Sequence, residues 1–249
     1  MTPQPGPSNH SASSTNGSGN GRCRIVVTGG PGGGKTTAAD LFRREIGERV
    51  VIVPEAATML FSGGFPRAKD PHALRSAQRA VYHVQRNLED VQSCLYPGRI
   101  LLCDRGTVDG AAYWPGSPDE FFAAVGTTLE AELTRYDAVI FFESAAVGGM
   151  SIEGGNPVRI EDNKVAVELD RRLLDLWAHH PRLIVVPHNP SFFKKITFGL
   201  ASLESIVAQH DHGAARQLLP GDRGRVELVP SLEGAAPPRA ARETPVLPA

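Results

Sequence analysis

A glycine-rich segment close to the start of the chain has the residue types and spacing of a phosphate-binding loop. Residues 29–37 read GGPGGGKTT, so two glycines enclose a four-residue spacer and a lysine and a threonine follow. Glycines let successive backbone N–H groups turn inward around a polyphosphate, and the N-terminus of a following helix adds partial positive charge. We expect Lys35 to reach the β- and γ-phosphates and the Thr36 hydroxyl to bind Mg²⁺. The residues expected to form the phosphate site are Gly29, Gly30, Pro31, Gly32, Gly33, Gly34, Lys35, Thr36 and Thr37.

Charged residues follow two short apolar runs, VVIV and ILLC. Glu55 follows the first run after a proline, and Asp104-Arg105 follows the second. An aspartate beside a phosphate loop commonly organises the metal ion, and a neighbouring arginine neutralises charge on a phosphoryl group. We expect Asp104 to contact Mg²⁺, and we expect Glu55, Arg105 and Asp109 to face a second substrate. For Glu55 the alternatives are a general base, a metal contact and an exposed turn residue.

Five apolar runs rich in valine and isoleucine recur along the chain and are typical of strands that are buried on both faces. They span residues 24–28, 50–53, 99–104, 137–142 and 182–186. Helical periodicity fills the intervals, most clearly after Asp70, where apolar residues from Leu74 to Leu95 recur at three- and four-residue steps. The other predicted helices span about 35–47, 117–134, 161–179 and 191–209. This alternation predicts an α/β fold of three layers, with a five-stranded parallel sheet between helices and ligands at the carboxyl ends of the strands.

The composition changes at both ends of this region. Residues 1–22 consist mainly of glycine, proline, serine and asparagine, and they contain too few apolar side chains to offset the entropy of ordering. Residues 212–249 are rich in proline and alanine and show no sustained period, although RVELV within them could pair as a short edge strand. We therefore predict a disordered leader over 1–22, one domain over 23–211 and a flexible tail over 212–249.

The overall composition argues against several classes of protein. With 26 basic and 27 acidic residues the formal charge is −1, which argues against binding nucleic acid through bulk positive charge. No apolar run approaches the roughly 18 residues of a membrane-spanning helix, and the N-terminus lacks the apolar core of a signal peptide. Cys23, Cys94 and Cys103 have neither the number nor the spacing of a disulfide framework or a zinc site. These features predict a protein of the cytoplasm without a transmembrane segment.

The second half of the predicted domain contains further candidates for the site. A glycine-rich segment after the fourth apolar run contains Arg159, which could close over a transferring phosphoryl group. Arg171 and Arg172 on the following predicted helix compete for that role, although arginine on an exposed helix is usually solvated. Phe192 and Phe193 follow the last apolar run, where they could contact a nucleotide base or pack in the core.

The order of the motifs GGPGGGKTT, VPEAAT and CDRGTVDGAAYW is similar to that of nucleoside and nucleotide kinases that contain a P-loop. More closely, the chain resembles AAA-type ATPase domains related to the nicotinamide riboside kinase part of NadR. It also resembles a trafficking protein of the TRPL-translocation-defect type that binds GTP and phosphoinositides. The resemblance covers residues 24–200, including FFESAA and NPSFFKK. It implies a P-loop NTPase fold of the kinase kind, with Glu55 as base or metal contact and Asp104-Arg105 as the pair after the third strand.

Two functions of different classes fit these patterns. The first is a small-molecule kinase that transfers the γ-phosphate of MgATP to a nucleoside-, nucleotide- or riboside-like acceptor. Its catalytic candidates are Lys35, Glu55, Asp104, Arg105 and Arg159. The second is a regulatory or binding module that hydrolyses ATP or GTP slowly and has a protein or lipid partner. Charged residues at several predicted strand ends favour the kinase, while the absence of an N-K-x-D motif disfavours a Ras-like GTPase.

Overall fold

The computed structural model describes residues 23–149 and 163–217, with side chains as far as residue 211. The predicted leader, Arg159 and most of the predicted tail, including RVELV, lie outside these residues. The strands are β1 (Arg24–Thr28), β2 (Val50–Val53), β3 (Ile100–Asp104), β4 (Ala138–Phe142) and β5 (Leu183–Val186). They form one parallel sheet in the order β2-β3-β1-β4-β5. The prediction of a five-stranded parallel sheet is confirmed.

The helices of the described residues follow the predicted alternation with four differences, two of which are short helices that the periodicity does not predict, over 56–62 and 109–112. They are α1 (Lys35–Ile46), α2 (Ala56–Ser62), α3 (Pro71–Leu95), α4 (Asp109–Ala112), α5 (Pro118–Ala124), α6 (Leu129–Leu133), α7 (Asn163–Trp177) and α8 (Phe192–Gln217). The helix predicted over 117–134 is divided into α5 and α6. Gly126 follows α5 with φ of +74°, and the Thr128 hydroxyl caps α6 by accepting from the Ala131 N–H at 3.2 Å. Helix α8 continues to Gln217, beyond the predicted domain end at residue 211.

The sheet separates two hydrophobic cores. Successive side chains of a strand point to opposite faces, so Val26 of β1 belongs to one core, whereas Ile25 and Val27 belong to the other. The first core contains side chains of α3 to α7, among them the fully buried Trp177. The second contains side chains of α1 and α8, among them Phe42. The predicted three layers, helices on both faces of the sheet, are therefore confirmed.

Helix α3 departs from the predicted pattern towards its C-terminal end. Val91 and Leu95 belong to the apolar periodicity but are 52% and 64% exposed, whereas Glu89 is fully buried. The Glu89 carboxylate accepts hydrogen bonds from Arg135 Nη2 at 2.7 Å and from the Tyr136 hydroxyl at 2.8 Å. Burial of a carboxylate is tolerated when it is paired and hydrogen-bonded. The polar partners, rather than the apolar stripe, therefore decide which side of this part of α3 faces the protein.

The three cysteines of the chain form no disulfide bond. Cys23 and Cys103 are buried and Cys94 is exposed, and all three are free thiols. Burial raises the pKa of the Cys23 thiol to about 12, so this side chain is uncharged.

Across 23–149 and 163–217 no helix combines the length and the apolar character that would be needed to cross a membrane.

The carboxyl ends of three adjacent strands meet at one edge of the sheet. Strand β1 lies between β3 and β4 and runs into the phosphate loop, while β3 ends at Asp104. Strand β2, on the other side of β3, leads to Glu55. The parallel register pairs Val27 with Asp104 and Val53 with Cys103. The fold thus brings the three charged segments singled out in the sequence to the same edge.

Candidate functional site

The phosphate loop connects β1 to α1 at the centre of the sheet, and two of its glycines combine a positive φ with no room for a side chain. Gly29 has φ of +132°, and a Cβ there would lie 2.0 Å from the carbonyl oxygen of Phe142. Gly34 precedes α1 with φ of +84°, and a Cβ there would lie 2.6 Å from the ring of Phe192. Both positions combine a backbone conformation that favours glycine with close contact to a neighbour. The turn of the loop therefore requires glycine at these two positions.

Lys35 is buried within the phosphate loop. Its Nζ donates a hydrogen bond to the Gly30 carbonyl at 2.8 Å, which uses one of the three donors of an ammonium group. Burial and the nearby Arg105 lower the pKa of Lys35 to about 7, although Asp104 acts in the opposite direction. Phosphate oxygens that bind beside Lys35 would supply the negative charge and the acceptors that this group lacks.

Thr36 and Asp104 are brought together as the sequence predicts, and they fit a magnesium ion. Thr36 Oγ1 donates to Asp104 Oδ2 at 2.9 Å, while Asp104 Oδ1 is buried and has no hydrogen-bond partner among the described residues. Burial raises the pKa of Asp104, and the nearby Glu55 raises it further. The described residues contain no group of three or more His, Cys, Asp or Glu side chains that could hold a metal. A magnesium ion here would take its remaining oxygen ligands from phosphates and water.

Arg105 lies between the two other predicted carboxylates. Its Nε donates to Glu55 Oε1 at 2.5 Å and its Nη1 donates to Asp109 Oδ2 at 3.0 Å. The second oxygen of Glu55 accepts from the Thr58 hydroxyl. Burial raises the pKa of Glu55, but Arg105 and the Thr58 hydroxyl outweigh it and hold the pKa below its usual value. Glu55 is therefore an ionised, partly buried member of the site, and its interpretation as an exposed turn residue is wrong.

Asp109 lies deeper than a residue that binds an acceptor directly. It is 4% exposed, and its two oxygens accept from the Thr28 hydroxyl at 2.7 Å, the Trp177 indole N–H at 2.7 Å and Arg105. These three donors leave the carboxylate little capacity for a further ligand. The geometry therefore favours a role in which Asp109 fixes Arg105 in place, and it disfavours the predicted contact with a second substrate.

A cavity of about 230 Å³ adjoins this cluster between α2, α3 and the loop after β3. Pro31 of the phosphate loop lines it together with Glu55, Arg105 and Asp109. Most of its other lining side chains are apolar, and they include Ala56, Phe61, Leu74, Ala77 and Val81. A largely apolar cavity with a few polar groups is typical of a binding site for a small molecule.

Two buried charged residues, Asp170 and Lys195, hydrogen-bond to the backbone of the phosphate loop. Neither is a candidate from the sequence. Asp170 of α7 accepts hydrogen bonds from the backbone N–H groups of Gly30 at 2.7 Å and Ser144 at 2.9 Å. Lys195 of α8 donates to the Gly33 carbonyl at 2.9 Å. Burial raises the pKa of Asp170 and lowers the pKa of Lys195 to about 8. The loop is thus fixed through its backbone by helices far away in the sequence.

The sequence contains one signal that could have identified Asp170. It lies on the face of α7 that carries the buried residues Ala166, Leu173 and Trp177, at helical spacing. A carboxylate on the apolar face of an amphipathic helix requires a specific partner, because burying it without hydrogen bonds is costly. The pattern indicates such a partner but does not say which backbone groups provide it.

The remaining predicted candidates lie around this centre or outside the described residues. The ring of Phe192 lies against Gly34, and this side chain is 50% exposed, while Phe193 is 79% exposed. The interpretation that these two side chains pack in the core is therefore wrong. Arg171 is exposed and pairs with carboxylates of its own helix. Arg172 donates to the Trp114 carbonyl at 3.4 Å, away from the phosphate loop. Arg159 belongs to the segment that the structure does not describe.

Replacing Asp170 by alanine is expected to lower the free energy of unfolding by about 2–4 kcal/mol, since two buried N–H donors would each lose an acceptor at about 1–3 kcal/mol. Nucleotide affinity should fall as well, because one of these donors belongs to Gly30. Urea unfolding and calorimetric titration with MgATP measure the two effects. Asp170→Asn keeps an acceptor oxygen and should be milder. A loss no larger than that of Asp175→Ala, an exposed carboxylate on the same helix, would contradict the supporting role.

Comparison with known proteins agrees with this architecture. The profile of the AAA domain family matches residues 24–192, which is more than half of the chain, whereas curated proteins give no significant match. Among solved structures, thymidylate kinase from Candida albicans is similar with a TM-score of 0.53 and 14% sequence identity, over 76% of this chain and 93% of that chain. At this identity the similarity concerns the fold alone. The chain therefore belongs to the AAA domain family and has a P-loop NTPase fold of the nucleotide-kinase kind.

Proposed function

We propose that this chain is a small-molecule kinase that transfers the γ-phosphate of MgATP to a hydroxyl group of a nucleoside- or riboside-like acceptor. One observation carries the proposal: the cavity is lined by Pro31 of the phosphate loop and by Glu55 and Arg105. A molecule bound there would be next to the phosphates of a nucleotide on the loop. Hydrolysis alone needs a water molecule at this place, whereas a largely apolar cavity with a few polar groups is typical of a site for a small molecule.

The charges around the cavity favour a neutral acceptor group. Among the described residues that line the cavity, the arginines are Arg67 and Arg105, and Arg105 is already opposed by Glu55 and Asp109. Arg67 is exposed and stacks over the ring of Phe61 at 4.1 Å. A phosphate monoester is usually bound by arginines that are free to pair with it. A hydroxyl acceptor therefore fits this cavity better than a nucleotide acceptor.

The proposed reaction is an in-line transfer that uses Glu55 as acceptor of the hydroxyl proton. The hydroxyl oxygen of the acceptor forms a bond to the γ-phosphorus, the bond from that phosphorus to the bridging oxygen breaks, and ADP leaves with the electron pair. The hydroxyl proton passes to Glu55. A carboxylate whose pKa lies below its usual value is adequate, because phosphoryl transfer depends mainly on positioning and charge stabilisation.

The other residues at the edge of the sheet would bind and orient the triphosphate. Lys35 and the backbone N–H groups of the loop would hold its β- and γ-phosphates, and Arg105 would face the transferred group. A magnesium ion held by Thr36 and Asp104 would neutralise charge on the phosphates. Arg159 stays a prediction for a further contact with the γ-phosphate. The resemblance to nicotinamide riboside kinase supports ATP as the donor.

The proposal is tested by turnover of MgATP and MgGTP with a panel of nucleosides, nucleotides and nicotinamide riboside, read as product mass rather than as phosphate release. We expect a phosphorylated nucleoside or riboside that is absent when Lys35→Ala replaces the wild type. Tight nucleotide binding with only slow hydrolysis that no acceptor accelerates would overturn the kinase. That outcome would favour the regulatory module and direct attention to protein or lipid partners.

A further inference from the structure

Glu55 occupies the N-cap position of α2, but its side chain does not cap the helix. Its two oxygens are used by Arg105 and by the Thr58 hydroxyl instead. The first N–H groups of a helix have no partner within the helix and need an acceptor from elsewhere. Here the Ala56 N–H donates to Oε1 of Gln85, 3.3 Å away on α3. Ala56 is the first residue of α2, so Gln85 binds the backbone directly after Glu55 and holds the start of this helix against α3.

The amide nitrogen of the same glutamine contacts the second charged residue of the site. Gln85 Nε2 donates to the backbone carbonyl of Arg105 at 3.2 Å. Arg105 has φ of +72°, and it is the one residue other than glycine with positive φ in the described part of the chain. A residue with a side chain adopts this conformation only when its surroundings impose it. The hydrogen bond from Gln85 is a direct constraint on that backbone.

The orientation of the Gln85 amide is determined by its neighbours. Nε2 also donates to Glu89 Oε1 at 3.4 Å, and Glu89 is fully buried and paired with Arg135. If the amide were turned over, its oxygen would face the Arg105 carbonyl and the Glu89 carboxylate, which are both acceptors, and its nitrogen would face the Ala56 N–H. Only one orientation satisfies all three partners. The buried Glu89 thus keeps Gln85 directed towards both backbone segments.

We propose that Gln85 is a positioning residue that sets the placement of Glu55 relative to Arg105. It is 3% exposed at the wall of the cavity, and both ends of its amide group are used to join the backbone directly after Glu55 to the backbone of Arg105 from a third element, α3. Its effect on transfer rests on the proposed kinase function, whereas its hydrogen bonds to the two segments do not. A misplaced reactive group can lower a transfer rate by about 100-fold without a change in the residues that react.

The first test compares Gln85→Leu with Gln92→Leu, a matched change seven residues along the same helix. Gln92 is half-buried, and its Oε1 has no hydrogen-bond partner in the described structure. With the panel nucleoside or riboside that the wild type phosphorylates fastest, kcat of Gln85→Leu is expected to fall at least about tenfold. The Kd for MgATP should stay within about twofold, since the phosphate loop is supported by α7 and α8. Gln92→Leu should match the wild type, and equal kcat values for all three proteins would overturn the proposal.

The second test is independent of any activity. Hydrogen exchange of the Ala56 N–H, followed by NMR on the full chain, reports the bond to Gln85. Exchange should be at least about tenfold faster in Gln85→Leu than in the wild type or in Gln92→Leu. Unchanged protection would overturn the positioning role even if the kinase is real. A wild type that phosphorylates no acceptor would overturn the proposed function, and the exchange measurement would still decide whether Gln85 holds the segment after Glu55.

The conservative variant Gln85→Glu gives a pH signature that general loss of packing does not. An ionised Glu at this position could accept from the Ala56 N–H but could not donate to the Arg105 carbonyl. Arg135 lowers the pKa of a carboxyl group at this place, but burial outweighs it and raises the pKa of Glu89. A second carboxyl group beside Glu89 should therefore also have a raised pKa, and its protonated form regains one donor. The defect of Gln85→Glu relative to the wild type should therefore shrink as the pH falls, whereas the defect of Gln85→Leu should not change. Parallel pH profiles for the two variants would overturn the proposal.

Discussion

Replacing Lys35 by alanine is expected to weaken MgATP binding by about 100-fold, because hydrogen bonds between charged partners contribute roughly 1.5–3 kcal/mol each. The side chain is buried in the phosphate loop, and one described hydrogen bond, to the Gly30 carbonyl, occupies it in the free protein. The phosphates of a nucleotide would provide its remaining acceptors. Calorimetric titration of wild type and variant with MgATP measures the difference.

The expected loss is specific to the nucleotide complex. The free protein gains little from this lysine, since burial lowers its pKa and so disfavours the charged form. Thermal unfolding without nucleotide should therefore change little, while the stabilisation by MgATP should disappear. Lys194→Ala removes an exposed lysine close to Lys195 and should behave as the wild type. Equal MgATP affinity for Lys35→Ala and the wild type would exclude both the kinase and the regulatory module.

Replacing Glu55 by glutamine is expected to lower kcat for acceptor phosphorylation by about 100-fold or more, as is usual when a group that receives a proton is removed. Glutamine has nearly the same shape but cannot take the proton of a hydroxyl group, and it no longer opposes the charge of Arg105. Asp109 still pairs with Arg105, so the arginine should keep its place. Product mass in the presence of saturating acceptor and MgATP provides the measurement.

Nucleotide affinity separates this prediction from a general disturbance of the site. MgATP should bind Glu55→Gln within about twofold of the wild type, because the lysine and the N–H groups of the phosphate loop are unchanged. Glu48→Gln, an exposed change before β2, is the matched control and should leave both quantities unaltered. Retention of full acceptor phosphorylation by Glu55→Gln would remove its assignment as the base.

The strands and the phosphate loop were predictable because each depends on a contiguous signal. A strand buried on both faces is a continuous apolar run, and the loop is a fixed sequence of glycines, lysine and threonine. The split between α5 and α6 was less apparent, although Gly126 and Thr128 are a stop and a start signal within the predicted helix. Local patterns thus define the long elements well, whereas the ends of helices and the short helices α2 and α4 escape them.

The partners of the site residues could not be predicted, because they depend on contacts between distant parts of the chain. Asp109 was expected to face a second substrate, but its hydrogen bond from Trp177, which depends on how α7 packs against the sheet, favours a supporting role. Asp170 lies 140 positions from its partner Gly30. Gln85 has no local signal, since a glutamine on a helix is usually exposed. Sequence periodicity predicts which face of a helix is buried, but only the packed structure shows which groups that face contacts.

Strand β1 lies in the sheet between the residues that line the cavity and the residues that support the phosphate loop. Glu55, Arg105 and the cavity belong to β2, β3 and the helices that follow them, on one side of β1. Asp170 and Lys195, which hold the phosphate loop, belong to segments associated with β4 and β5, on the other side. Two contacts couple these sets, since Arg105 donates to the Gly29 carbonyl and Trp177 of α7 donates to Asp109, so additive effects are expected only for cavity residues outside these contacts. If the chain is the proposed kinase, acceptor preference could diverge through the apolar side chains of the cavity wall while the helices that hold the phosphate loop keep their sequence.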